Sequence, residues 1–414
     1  MEEREFVRRA VEAGGRAAVV GGWVRDRIRG TEPKDKDYVI AGLAAERFSA
    51  LFPEAICVGK SFPVFLLSID GVKCEVALAR KERKQGTGYR GFSVCADGTV
   101  SLEDDLSRRD TTMNAMAYEL LPGRKPRLID LFGGAADIRA RRIRAVSERF
   151  LEDPVRALRA ARQAAAFGYD VEEGTLRLMG ACRDELTKEP VERVFHEMEQ
   201  ALASPRPSVF FRTLLAANLL DDVFPELFAL IGKTQPVDFH PEGDAFEHTM
   251  QVTDEVARGT ENVVVRFAGL AHDLGKGTTP ADMLPHHYGH EARGLDVLAA
   301  WDARMTLPKV WKRVAAFVIA EHMRAPRLKK PGKIVDLLFA LDGLPVPAEE
   351  VLLIFRADKA ELPPYLLRGR ELLDRLAAVT GRDAPKELRG EAVGAWLRAA
   401  RTRLCGKLLG EWKQ

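Results

Sequence analysis

Two aspartates one residue apart, Asp35 and Asp37, stand just downstream of a glycine pair in the stretch VVGGWVRDRIRGTEPKDKDYVI, Val19 to Ile40. Val19 and Val20 predict the end of a short apolar strand, Gly21 and Gly22 a tight turn, and Trp23 to Arg29 a helix. Such a turn directs free amide N–H groups at an anion. After the break Gly30-Thr31-Glu32-Pro33, residues Lys34 to Ile40 predict a strand with Asp35 and Asp37 on one face. Neighbouring carboxylates repel unless a cation lies between them, and hard oxygen ligands beside a phosphate-binding turn suit Mg²⁺. Divalent-metal nucleotidyl transfer is the chemistry to expect. A solvated strand edge would also account for Asp-X-Asp, and the glycine pair matches neither a dinucleotide fingerprint nor a P-loop.

A second set of reactive residues lies far downstream, because seven of the eight histidines fall between His240 and His322. His248 opens an amphipathic helix, His272-Asp273-Leu274-Gly275-Lys276-Gly277 follows an apolar one, and His286, His287, His290 and His322 come later, with Asp358 in RADKAEL. Imidazole and carboxylate together suit a transition ion such as Ni²⁺, Mn²⁺ or Co²⁺ better than Mg²⁺. His196 reads instead as a packed helix residue.

The elements that must position these groups follow from patterning. Glu2 to Ala13 predicts an amphipathic helix appended to the head. A helix runs from Leu43 towards Pro53, and Phe62 to Ile69 with Val72 to Leu78 predicts a hairpin across Asp70-Gly71. If that hairpin pairs beside the Asp35 strand, Glu75 becomes a third carboxylate of the site; otherwise it faces solvent. ALARKERKQGTGYRGF then sets Arg80, Lys81, Arg83, Lys84 and Arg90 around Gly86 and Gly88, a basic hinged loop suited to moving over a nucleotide or an RNA end. Arg108-Arg109-Asp110 is expected to open a helix carrying Asn114, Met116 and Ala117. From Ala160 onwards the pattern is almost wholly helical.

Composition sets the outer bounds. At 414 residues with 46% apolar content, roughly two to four domains are expected. The charged start MEEREFVRRA lacks an apolar core, and no run of about 18 apolar residues occurs, so the cytoplasm is the expected location. Cys57, Cys74, Cys95, Cys182 and Cys405 are widely spaced without C-x-x-C, which argues against disulfides or structural zinc. A net charge of +2 excludes a polycation, while local Arg and Lys clusters keep RNA open as a partner.

Five ordered motifs carry a family resemblance. Gly21-Gly22-Trp23-Val24-Arg25-Asp26, Asp35-Lys36-Asp37, Arg108-Arg109-Asp110 with Asn114-Ala115-Met116-Ala117, Ile129-Asp130-Leu131-Phe132-Gly133-Gly134 and Glu152-Asp153-Pro154-Val155-Arg156-Ala157-Leu158-Arg159 together resemble the class II tRNA nucleotidyltransferases. These are the CCA-adding enzymes and bacterial poly(A) polymerases of the polymerase β superfamily. His248, the His272-Asp273 pair and Asp358 resemble the ligand set of the metal-dependent HD phosphohydrolases, with His290 and His322 as further candidates. Joined, the two resemble the multifunctional CCA proteins of gammaproteobacterial type over about Arg16 to Lys359. The chain departs from that subgroup after Asp358, where Lys359-Ala360-Glu361-Leu362 replaces a run towards Arg-Gly.

The resemblance implies an α+β protein with a polymerase-β-like nucleotidyltransferase head, an all-α neck and body, and an all-α HD domain. The expected boundaries are 1–145 for the head, 146–235 for the neck and body with the nucleobase template and RNA binding, 236–365 for the HD domain and 366–414 for a helical tail. It implies Asp35 and Asp37 as catalytic Mg²⁺ ligands, Gly22 and Arg25 at the triphosphate, and Arg109 and Asp110 near the nucleotide. Asp153, Arg156 and Arg159 would read the base edge. The implied reaction is attack of a tRNA 3′-hydroxyl on the α-phosphate of CTP or ATP with release of pyrophosphate. For the HD domain the resemblance implies phosphatase, 2′-nucleotidase and 2′,3′-cyclic phosphodiesterase activities. CC-only or A-only addition, poly(A) synthesis, and an inactive head with HD chemistry alone stay open, as does monomer against homodimer.

Overall fold

The computed structural model describes residues 1–58, 64–84, 92–95, 98–238, 240–359 and 361–412. They form two compact units, Met1–Met198 with Val209–Val223, and Glu199–Ser208 with Phe224–Gln414.

The first unit opens with α1 (Glu3–Glu12), β1 (Arg16–Val20), α2 (Gly22–Arg29), β2 (Asp37–Ala41), α3 (Ala45–Leu51), β3 (Ile56–Val58), β4 (Val64–Ile69) and β5 (Val72–Leu78). A separate pair β6 (Lys81–Lys84) and β7 (Phe92–Cys95) follows, then α4 (Leu102–Ser107), β8 (Met116–Leu120), β9 (Arg127–Asp130) and α5 (Gly134–Arg139). Seven strands make one sheet in the order β3-β4-β5-β2-β1-β8-β9. On one face Ala18, Val20, Val39 and Ala117 pack on Leu102 and Leu106 of α4. Against the other lies an aromatic cluster, with Phe48 and Phe65 at 4.6 Å and Phe6 and Phe52 at 5.2 Å between ring centroids.

Three sequence expectations change. Helix α1 is no appendage: Phe6 meets Tyr38 edge-on at 5.3 Å, and Glu3 accepts the Tyr38 hydroxyl at 2.7 Å and Lys36 Nζ at 2.5 Å. It braces the strand that carries Asp37. Strand β2 begins at Asp37, so Asp35 lies in the irregular chain before it. The stretch after Asp110 is one 3-10 turn, Thr112–Asn114, leading into β8 rather than a helix. Met116 and Ala117 are fully buried, and β8 is hydrogen-bonded to β1 on one side and β9 on the other. Sheet pairing there overrides the helix preference of Ala and Met.

The hairpin forms as its turn chemistry dictates. Ile69 pairs with Val72 across Asp70 and Gly71, whose φ values of 50° and 78° suit a two-residue primed turn. The expected strand start at Phe62 lies outside the described residues, as does most of the basic loop from Gln85 to Gly91.

Helices then dominate. Short strands β10 (Arg142–Ile143) and β11 (Asp170–Val171) flank α6 (Val155–Phe167), followed by α7 (Glu173–Ala181), α8 (Arg183–Leu186), α9 (Val191–Leu202), α10 (Ser208–Ala216) and α11 (Leu220–Val223). The second unit continues with α12 (Pro225–Phe228), α13 (Ala245–Gly259), α14 (Val263–Ala271), α15 (His290–Met305), α16 (Lys309–Glu321), α17 (Pro331–Asp342) and α18 (Ala348–Lys359). It ends with α19 (Pro364–Leu367), α20 (Gly369–Ala377) and α21 (Glu391–Glu411). Among the described residues no helix is long and apolar enough to cross a membrane.

A buried arginine ties the second unit together. Arg266 of α14, only 4% exposed, donates from Nε to Thr260 O at 2.7 Å, from Nη1 to Leu202 O at 2.6 Å and Ser204 O at 3.0 Å, and from Nη2 to Ala257 O at 3.0 Å. These carbonyls close helix ends that have no further intrahelical donor. Arg266→Met keeps much of the volume but strands four buried acceptors, so it should lower stability by about 3 kcal/mol in urea denaturation.

Candidate active sites

The turn after β1 and the N-terminus of α2 open one side of a cleft of about 660 Å³ in the first unit. Gly21 has φ +69°, and a Cβ on it would lie 3.2 Å from Arg109 Nη1. Only glycine gives both the backbone conformation and that approach. Parallel pairing of β2 with β5, Tyr38 opposite Val76, sets Asp37 beside Glu75, and both line the cleft. Burial, then the neighbouring Glu75, hold the Asp37 carboxyl above its ordinary value; Arg109 opposes this and Asp35 adds to it. Asp35, like Asp37 and Glu75, is exposed to solvent, but unlike them it is not among the cleft-lining residues.

Opposite the acids the cleft is cationic. Arg25, Arg80, Arg108, Arg109, Arg156, Arg159, Arg162 and Arg193, eight in all, outnumber its four carboxylates, Asp37, Glu75, Asp110 and Asp153. That excess attracts a polyphosphate. The arginines are held in place: Arg25 donates to Asp26 at 2.9 Å and from Nη1 to Asn114 Oδ1 at 2.9 Å. Arg108 and Arg109 reach the fully buried Asp105 at 2.6 and 3.2 Å. Burial pushes the Asp105 carboxyl up, but the two guanidiniums outweigh it and keep it below the usual range. Sequence reasoning missed Asp105, although an acid three and four residues before two arginines was a readable helical signal.

The third wall is α6. Asp153 precedes it, accepts Val155 N at 3.2 Å and is gripped by Arg193 Nη2 at 3.0 and 2.9 Å. Arg156 Nη1 donates to Arg149 O at 2.6 Å. Further along, Gln163 Nε2 donates to Asp110 Oδ2 at 3.1 Å, and Arg159 Nε lies 3.5 Å from the same carboxylate. Asn114 Nδ2 and Thr111 N take the other oxygen at 3.1 and 2.7 Å. Burial works against ionisation of Asp110, yet Arg159 and these donors hold its pKa below the ordinary value. Asp110 is thus already hydrogen-bonded within the wall. Gly22, Arg25, Asp37, Glu75, Arg109, Asp110, Asp153, Arg156 and Arg159 all meet in this cleft.

The second unit assembles the histidines. His248 sits in the first turn of α13, His272 and His322 cap the C-termini of α14 and α16, His290 starts α15, and Asp358 lies near the end of α18. Asp273 is at the centre: Oδ2 lies 3.1 Å from His272 Nε2 and 3.7 Å from His248 Nε2, and Oδ1 lies 3.3 Å from both His290 Nε2 and His322 Nε2. Asp358 Oδ1 is 3.2 Å from His248 Nε2. A Cβ on Gly275 would fall 1.9 Å from His290 O, so this glycine permits the approach of α15.

Each ring is oriented through its other nitrogen. Nδ1 of His272 is 2.7 Å from Gly269 O, that of His290 2.8 Å from His287 O, and that of His322 3.0 Å from Ile319 O. A carbonyl only accepts, so Nδ1 carries the proton and the Nε2 lone pairs converge. His290 Nε2 and His322 Nε2 stand 3.2 Å apart. His272 Nε2 and Asp273 Oδ1 are buried without a hydrogen bond, while Oδ2 takes the Lys276 ammonium. Converging lone pairs and carboxylate oxygens repel unless a cation lies among them, and this donor set fits a divalent transition ion. Burial opposes the charge on Asp273, but the Lys276 ammonium, whose Nζ is 2.5 Å away, helps to hold its pKa well below the ordinary value. Among the described residues the donors fall into three groups: two share Asp273, one with His248 and His272 and one with His290 and His322, and the third joins His248 to His240 and Glu242.

Comparison with known proteins finds families along both units. Residues 17–144 match the family described as Poly A polymerase head domain, 168–231 the Probable RNA and SrmB- binding site of polymerase A, and 245–362 the HD domain. The chain is 40% identical over 413 residues to the multifunctional CCA protein of Thioalkalivibrio sulfidiphilus (strain HL-EbGR7), covering 95% of this chain and 98% of that one. It is 41% identical over 417 residues to that of Paracidovorax citrulli (strain AAC00-1), covering 95% and 97%. A solved structure of a tRNA nucleotidyltransferase complexed with a primer tRNA and an incoming ATP analog shares the fold, with a TM-score of 0.60 at 23% identity over 90% of this chain and 99% of that one. Identity sustained at this level along both units makes the chain a member of the multifunctional CCA protein family.

Proposed function

We propose that this chain adds or repairs the 3′-terminal CCA of tRNA from CTP and ATP without a nucleic-acid template, and that its HD domain is a metal-dependent phosphohydrolase. The observation that carries the first part is the single cleft in which Asp37 and Glu75 face eight arginines, with Asp153 and Arg156 on the adjoining wall. The names of the relatives agree with it. We assign transfer to a head of residues 1–145 and base reading to 146–235, with the HD domain at 236–365, a helical tail at 366–414 and the cytoplasm as its place of work.

The tRNA 3′-oxygen forms a bond to the α-phosphorus of the bound nucleotide as the bond to pyrophosphate breaks. The Gly21-Gly22 turn, Arg25 and Arg109 bind the triphosphate and place the α-phosphorus. Asp37, with Glu75 and Asp35 nearby, would hold Mg²⁺, which when bound lowers the pKa of the attacking hydroxyl and offsets charge on the leaving group. Asp153 offers acceptors and Arg156 donors, the two kinds of partner a cytosine or adenine edge requires. The links from Arg193 to Asp153 and from Arg149 O to Arg156 fix both side chains before the base arrives.

In the second unit His248, His272, Asp273 and Asp358, with His290 and His322, would hold one or two divalent transition ions, Ni²⁺, Mn²⁺ or Co²⁺, which supply Lewis acidity towards a phosphate ester. Lys276, buried and bonded to both Asp273 and Gln235 at 2.5 Å, keeps Asp273 ionised and in place. Phosphatase, 2′-nucleotidase and 2′,3′-cyclic phosphodiesterase reactions are the chemistry to assay.

Purified protein with Mg²⁺ should extend tRNAs ending before CCA, after C and after CC, given CTP and ATP, and stop at CCA when products are resolved to the nucleotide. Products ending at CC, a single added A, or a long A tract would replace this reading with a CC-adding enzyme, an A-adding enzyme or a poly(A) polymerase.

A further inference from the structure

Three of the four clustered imidazoles are oriented by a carbonyl three residues earlier in the chain, but His248 is not. It sits in the first turn of α13, where Asp244 O already receives His248 N and Ala245 O receives Thr249 Oγ1. Its Nδ1 instead meets a carboxylate, Glu242 Oε1, at 2.7 Å. The Glu242 side chain is 8% exposed, and the same oxygen lies 3.1 Å from His240 Nδ1. The His240 ring stands edge-on to the His248 ring at 4.6 Å.

The segment bearing Glu242 is itself anchored. Asp244 caps α13 through Phe246 N and Glu247 N at 2.9 and 3.2 Å and takes Gly232 N at 2.7 Å. Gln235 N bonds Gly243 O at 3.0 Å, and Ala245 N bonds Lys233 O at 3.0 Å. Glu242 is therefore presented to His248 by a fixed turn.

We propose that Glu242 is a positioning residue of the histidine centre: its carboxylate holds His248 as the Nδ1–H tautomer, so that Nε2 faces Asp273 and Asp358 as a metal donor, while His240 braces the carboxylate. A carboxylate behind a ligating imidazole fixes the ring and raises its basicity, and losing such a partner typically weakens metal binding about 10- to 100-fold. The proposal rests on the reading of this centre as a divalent-ion site.

The test uses the full-length protein stripped with chelator, titrated with Ni²⁺ by calorimetry and with Co²⁺ by visible absorption. Glu242→Ala should weaken binding about 10- to 100-fold and alter the Co²⁺ bands, whereas Glu242→Gln, whose amide oxygen still accepts from Nδ1–H, should recover most of the affinity. CCA addition should be unchanged in both. Unaltered affinity and spectrum in Glu242→Ala would overturn the proposal. Failure of the parent protein to bind either ion would instead remove the reading beneath it. Should Glu242→Ala not fold, ¹⁵N-histidine spectra of the metal-free parent decide, with His248 assigned by His248→Gln: an Nε2–H tautomer refutes the proposal and an Nδ1–H tautomer upholds it.

Discussion

Asp37→Ala should reduce nucleotide transfer by about 10³-fold or more while leaving the protein at least as stable as its parent. Asp37 is set beside Glu75 by the parallel register of β2 and β5 and faces Arg109 across the cleft. Its loss removes the central oxygen ligand from the acid group. The stability prediction has the opposite sign because the carboxyl is held above its ordinary value by burial and by Glu75. A carboxyl raised in the folded state binds its proton more tightly there than in the unfolded chain. Its ionisation therefore opposes folding as pH rises past the ordinary carboxylate range, and removing it relieves that cost at neutral pH. Primer extension and urea denaturation on the same preparation, at pH 7 and near pH 4, check both halves. An advantage for the variant at pH 7 that shrinks towards pH 4 is the expected pattern, and full transfer by the variant would refute the assignment of the acid group.

Asp273→Ala should abolish phosphate-ester hydrolysis, leave CCA addition intact, and destabilise the metal-free protein by about 3 kcal/mol. Here the acid has a buried counter-charge, because Lys276 Nζ lies 2.5 Å from Oδ2. Removing it leaves the Lys276 ammonium, 4% exposed, without its counter-charge. An ion that binds only the folded parent adds about 2.7 kcal/mol at a hundredfold excess over its dissociation constant. Melting temperatures with and without Ni²⁺ should therefore separate in the parent and coincide in the variant. The two aspartate substitutions thus predict complementary loss of activity and opposite changes in stability.

Much of the chemistry was legible because it is local in the chain. Gly21-Gly22 before Arg25 reads as an anion turn, and Arg156 and Arg159 three residues apart read as neighbours on one helix, with Asp153 just before it. The misreadings share a cause as well. Met116 and Ala117 look helical, and only β1 and β9 on either side make them a strand. Helix α1 was recognisably amphipathic, yet nothing near it names Tyr38 as its partner.

The sequence by itself determined which chemical groups are present, that they fall into two centres, and which nucleotidyltransferase and HD resemblance they carry. These depend on residue type and short-range spacing. Tertiary structure alone decided that Glu75 stands beside Asp37 while Asp35 stays at the cleft's margin, that Asp105 anchors two arginines, and that Asp273 joins two groups of histidines. It also decided that His248 leans on Glu242 rather than on its own helix. Each of these contacts follows from strand register or from side chains brought together by packing, whose free energy comes from the whole fold rather than from the local residues that the spacing describes.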